Sequence, residues 1–123
     1  MTVSSVILTV DLPFPPAELN PNRRNGRHWT STHDVKKGYR AECLRRTHAA
    51  GASKSDAAEL ALSVTFVQPD KRKRDRDNLL AAAKNGLDAV AEALGVDDQC
   101  FNPVTVRREY GSKPGCMRVE VMG

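Results

Sequence analysis

The stretch Leu60-Ala61-Leu62-Ser63-Val64-Thr65-Phe66-Val67-Gln68 is followed directly by Pro69-Asp70-Lys71-Arg72-Lys73-Arg74-Asp75-Arg76-Asp77-Asn78-Leu79-Leu80. In the first part large apolar residues alternate with small or polar ones, the period of a half-buried strand, which we place at Glu59 to Gln68. In the second part five cations crowd a turn. From Asp77 or Asn78 to Leu94 the apolar residues Leu80, Ala83, Leu87, Val90, Ala91 and Leu94 fall on one helical stripe, which Gly95 ends. A strand that runs through a charged turn into a helix is an α/β unit, and such strand ends are where many folds of this class place ligands.

Upstream, the β-branched run Val3 to Val10 reads as a strand, stopped by the prolines of Leu12-Pro13-Phe14-Pro15-Pro16. Residues 17–30 read as loop. Thr30 to Ala50 reads as a helix, with Ser31 or Thr32 as cap and Val35, Tyr39, Cys43 and Leu44 on its apolar face. Downstream, Val104 to Glu109 and Met117 to Met122 read as strands, joined through Gly111 to Gly115 as a hairpin. The expected fold is α/β (α+β): a small mixed sheet with two helices in the order β-α-β-α-β-β, one domain over residues 1–123.

The chain has 123 residues, 40% hydrophobic but only 5% aromatic, so aliphatic side chains must fill the core. No apolar run approaches the ~18 residues of a membrane span, and the start lacks the basic region of a secretory signal. Cys43, Cys100 and Cys116 form no metal-binding spacing with the histidines and read as reduced thiols. A cytoplasmic location is expected.

The formal charge of +4 hides a segregation. Thirteen of nineteen basic residues lie between Arg23 and Arg46 or between Lys71 and Arg76, whereas Asn85 to Val104 contains none. Brought to one side, the basic stretches would suit a polyanion. Arg23, Arg24, Arg27, Lys71, Arg72, Lys73, Arg74 and Arg76 are the expected phosphate-binding residues. Trp29 either stacks on an unpaired base or anchors the first helix.

Asp75 and Asp77 stand two apart. In an extended segment both would point the same way and could share a hard cation such as Mg2+; alternatively Asp77 caps the helix and Asp75 pairs with Arg74 or Arg76. A second pair, Asp97-Asp98, follows the helix where its dipole disfavours negative charge. Lys84 is the only cation of that helix.

Taken together, R-D-x-D-N-L at Arg74 to Leu79, Lys84 seven positions after Asp77, K-x-x-x-D at Lys84 to Asp88, and the closing Asp97-Asp98 resemble the RusA family of Holliday junction resolvases. These are phage-associated endonucleases that cut four-way DNA junctions in recombination and repair. The likeness is clearest from Pro69 to Gln99, with Pro13 to Pro16 and the basic Asn-containing loop extending it. The resemblance implies a homodimer acting on branched DNA, metal-binding catalytic aspartates at Asp75, Asp77 and Asp98 (Asp97 being the alternative to the last), and a catalytic lysine at Lys84, or near Ala82 if a shorter spacing applies. It also implies Mg2+, with Mn2+ as substitute, and a conserved arginine at Arg74. The other reading is a non-catalytic nucleic-acid-binding or assembly protein. One geometric tension stands: a continuous helix over 78–94 would separate the acidic clusters by about 25 Å. Either the chain doubles back, or Asp98 serves the other subunit's site.

Overall fold

The computed structural model describes residues 5–20 and 29–123. The architecture is mixed α+β, a four-stranded mixed sheet with three helices. The strands are β1 (Val6–Leu12), β2 (Leu60–Gln68), β3 (Phe101–Tyr110) and β4 (Cys116–Met122), and the helices are α1 (Trp29–Ala49), α2 (Arg76–Ala82) and α3 (Lys84–Leu94). No helix among the described residues is long and apolar enough to cross a membrane.

Alternation decides which face of the sheet is covered. Leu8, Val10 and Leu12 on β1, Leu60, Leu62, Val64 and Phe66 on β2, and Met117, Val119 and Val121 on β4 all point into one core. Tyr39, Cys43 and Thr47 of α1, at i, i+4, i+8, enter the same core, as do Ala89, Val90 and Leu94 of α3. The two helices pack closely at Gly86, where a Cβ would lie 2.9 Å from the Tyr39 ring and 3.0 Å from Cys43 Sγ. The Tyr39 hydroxyl donates to the Pro13 carbonyl at 2.8 Å, tying α1 to the proline segment that follows β1. Burial pushes that phenol's pKa well above its ordinary value.

Three expectations change. The first strand runs through Leu12, because the prolines begin only at Pro13. The second helix is two helices: Ala83 has φ −88° and ψ −3°, and its N–H reaches back to the Leu79 and Leu80 carbonyls. Ala82 and Ala83 are buried where the two helices meet.

The third change concerns the last two strands, which are not a hairpin. The sheet order is β1-β4-β2-β3, with β4 antiparallel to both neighbours and β3 parallel to β2. Burial explains the choice. Met117, Val119 and Val121 are fully buried under the helices, whereas β3 exposes nearly every residue after Phe101 and suits the edge. Pro103, which has no N–H to give a ladder, is tolerated there for the same reason. The connection from β3 to β4 therefore crosses the end of β2. Gly115, at φ +75°, makes the crossing, since a Cβ would sit 2.7 Å from the Val67 carbonyl oxygen.

Candidate active site

The turn between β2 and α2 is held by its own polar groups. Asp70 accepts from the Arg72 backbone N–H at 2.9 Å and from both terminal nitrogens of Arg74, at 2.8 and 3.2 Å. The Arg74 hydrogen bonds, helped by the Arg72 amide, hold the Asp70 carboxyl at about 2. Gln68 donates from Nε2 to the Arg72 carbonyl at 2.8 Å, and the Arg108 guanidinium donates to the Arg74 carbonyl. Arg74 also lies 5.4 Å from the centre of the Phe14 ring, which meets Phe66 edge-on. Arg74 is thus engaged in positioning the turn. Lys71, Arg72, Lys73 and Arg76 are exposed. Arg23, Arg24, Arg27 and the side chain of Trp29 lie outside what the structure describes.

Asp75 and Asp77 part company. Asp75 is the N-cap of α2, with Oδ1 accepting from the backbone N–H groups of Asp77 at 2.7 Å and Asn78 at 3.3 Å. The pairing of Asp75 with a neighbouring arginine does not occur, since Arg74 turns to Asp70. Because helix begins at Arg76, the i and i+2 side chains no longer share a face. Asp75 lines a cavity of about 590 Å³ with Phe14, Pro16, Pro69 and the basic turn. Asp77 instead faces a groove between α2, α3 and the start of β3.

That groove, about 390 Å³, collects Asp77, Lys84, Asp88 and Asp98 above an apolar floor of Leu62, Leu80, Leu87, Phe101 and Val104. Lys84 Nζ lies 3.5 Å from Asp88 Oδ1 and 3.6 Å from Asp98 Oδ2. The break at Ala83 and the return of the chain after Gly95 bring Asp98 to its own chain's Asp77. The 25 Å separation expected of one straight helix is thereby removed. Asp97 is distinguished from Asp98 by its partner: it accepts from the Gln99 backbone N–H at 2.9 Å and caps a 3₁₀ turn, Asp98–Cys100. That hydrogen bond, and then one with Asp98, lowers its pKa. Ala82 is buried, so Lys84 is the position from which an ammonium reaches the groove.

Asp88 closes the K-x-x-x-D element of the motif but was not expected among the ligands, because its i, i+4 spacing from Lys84 reads equally as a surface ion pair. Arg40 of α1 was also missed. Its guanidinium stands 3.9 Å from Asp88 Oδ2 and 2.8 Å from Glu92 Oε1, closing the far side of the acidic cluster.

The donor chemistry suits a hard divalent cation, because carboxylate oxygens are what Mg2+ takes, and it commonly uses only one or two of them while retaining waters. Among the described residues no three acidic, His or Cys side chains are gathered tightly enough to hold one ion by themselves. The Lys84 ammonium stands between Asp88 and Asp98 as the local counter-charge.

No family model matches the chain. It is similar to a protein of Xylella fastidiosa strain Temecula1 described only as uncharacterized, with 36% identity over 96 residues. The matched segment covers 76% of this chain and 61% of that protein, so the chain spans about three-fifths of the relative's length.

Proposed function

We propose that this protein is a divalent-metal-dependent endodeoxyribonuclease with a RusA-like fold that resolves four-way DNA junctions by paired, symmetric nicks in recombination and repair. The observation that carries this reading is the gathering of Asp77, Asp88 and Asp98 around Lys84 in one groove beside an exposed basic turn. A protein that only held DNA would gain nothing from negative charge in that place, where it opposes phosphate binding.

One or two of the carboxylates of Asp77, Asp88 and Asp98, with retained waters, would hold Mg2+ or Mn2+. Bound there, the ion would supply Lewis-acid stabilisation of a phosphoryl oxygen and a more acidic water. Lys84 would exchange its carboxylate partners for a non-bridging phosphate oxygen and stabilise charge that grows on it. Lys71, Arg72, Lys73 and Arg76 would seat the flanking phosphates, giving affinity that falls with salt and carries little sequence information. Asp75 has a different part from the one its spacing suggests. It fixes the first turn of α2, and hence the position of Asp77.

The second reading, a non-catalytic nucleic-acid-binding protein, is favoured by one observation: Lys84 already neutralises two of the acids. Incubation with a synthetic four-way junction, linear duplex and single strand separates the two. The proposed enzyme nicks the junction symmetrically with Mg2+ or Mn2+, spares it in EDTA and leaves linear duplex intact. Binding without cleavage under every metal condition identifies the scaffold, and equal cutting of all three substrates identifies a nuclease without structure selectivity.

A further inference from the structure

We propose that the cavity between the proline segment and α2 takes one unpaired nucleotide of the branched substrate, base inside and phosphate outside, close to the cut. The inference rests on the nuclease reading for its ligand, and it deepens that reading by naming the part of the junction this cavity reads.

The helix α2 is a partition. Asn78, Leu79 and Ala82 line the cavity, whereas Asp77, Leu80 and Ala81 line the acidic groove. Helical periodicity puts these two sets on opposite sides of α2. One helix diameter, about 10 Å, therefore separates cavity from groove, the length of about three stacked steps along one DNA strand. A strand with a phosphate beside Lys84 reaches the cavity with a nearby nucleotide, and only a base released from its stack can turn in.

The walls suit a base. Phe14, Pro16, Pro69, Leu79 and Ala82 supply apolar surface around about 590 Å³, a volume in the range of sites that bind small ligands. Phe14 is the aromatic wall, and it is held in place: Arg74 lies 5.4 Å from its ring centre, and Phe66 meets it edge-on at 6.3 Å. The prolines on either side have fixed φ, and the Tyr39 hydroxyl ties down the Pro13 carbonyl. A wall fixed in this way stacks a base at little ordering cost.

The polar groups set the orientation. Asp75 lines the cavity, and its negative charge repels a phosphate from the interior. Arg72 and Lys73 also line it and are exposed, so a phosphate meets them on the outside. The Asn78 carboxamide carries both donors and an acceptor and can meet the edge of any base. In linear duplex every base is stacked on both sides. At a crossover the stack is interrupted and extrusion costs less, so the cavity reads branching rather than sequence.

Four-way junctions carrying 2-aminopurine at successive positions around the crossover test this in EDTA, without any need for cleavage. Wild type is expected to raise the fluorescence several-fold at one position, as that base leaves the stack, and to leave 2-aminopurine in linear duplex quenched. Phe14→Ala would strip packing from Phe66 and Arg74, so the cavity is better filled by Ala17→Trp, at an exposed position that lines the cavity and not the groove. Ala17→Trp is expected to keep wild-type circular dichroism and duplex affinity and to abolish the fluorescence rise. Its junction affinity should fall about 5- to 100-fold, the loss of one base stack. An abasic site at the responding position should close that gap to within about twofold, since no base is left to seat. The absence of any brightening position, or a gap that persists on the abasic junction, overturns the proposal. So does 2-aminopurine deoxyribonucleotide alone binding as tightly as the junction, which would make the cavity a mononucleotide site. Failure to nick the junction with Mg2+ while these binding results hold would instead count against the nuclease reading alone.

Discussion

Asp98→Asn is expected to lower Mg2+-dependent nicking of a four-way junction by at least about 100-fold, the upper end of what losing even an outer partner of a metal ligand costs. Junction affinity, read by gel shift in EDTA, should stay equal or rise, because a negative charge near phosphate is removed. Asp77→Asn should behave alike, since its carboxylate lines the same groove. Asp75→Asn is the informative contrast. Asn caps a helix nearly as well as Asp, so the hydrogen bonds to the Asp77 and Asn78 amides survive and activity should fall much less. Loss of cleavage as deep for Asp75→Asn as for Asp98→Asn would return Asp75 to the ligand set.

The second large effect concerns stability. Phe66→Ala is expected to reduce the unfolding free energy by about 3–5 kcal/mol, the usual cost of emptying a fully buried aromatic site. Phe66 is wholly buried near the C-terminal end of β2, with the Phe14 ring packed edge-on against it. Small domains have only about 5–15 kcal/mol in total, so the variant should be partly unfolded near 37 °C. Phe14 would lose its edge-on partner, and Arg74 would lose the firm ring over which it sits. Urea unfolding monitored by circular dichroism measures the loss. A change below about 1 kcal/mol, typical of exposed positions, would mean that the packing around β2 is wrongly described.

The parts of the fold legible in the sequence were those governed by one-dimensional periodicity. Leu60, Leu62, Val64 and Phe66 gave β2, Tyr39 and Cys43 gave the buried face of α1, and Gly95 marked the end of α3 in a left-handed conformation. Order within the sheet was not legible from adjacency. A five-residue glycine-containing link between two strands has the form of a hairpin. The relevant signal was instead the contrast between a β4 that buries every second residue and a β3 carrying Pro103, Arg107, Arg108 and Glu109. The exposure, Pro103 and charges of β3 suit it to an edge. The break at Ala83 had no sequence signal at all, since alanine is the best helix former; Ala82 and Ala83 are buried there.

The candidate site was legible in membership more than in arrangement. Asp77, Lys84 and Asp98 do meet in one groove, but Asp75 is claimed by the amides that start α2, and Asp88 takes a place beside Lys84. Two residues apart means one face only in an extended chain. Helix onset at Arg76 reversed that inference. The basic turn divides in the same way: Arg74 is drawn inward by Asp70 and Phe14, while the remaining cations of the turn stay exposed.

The central claim, that these carboxylates bind a divalent cation, is tested most directly by titrating the free protein with Mg2+ and following backbone amide resonances. The account predicts saturable shifts concentrated at Asp77, Lys84, Asp88 and Asp98, reversed by EDTA and abolished in Asp98→Asn. Shifts spread evenly over exposed acids such as Asp11, Glu42 and Glu109, or no saturable shift in the groove, would contradict it.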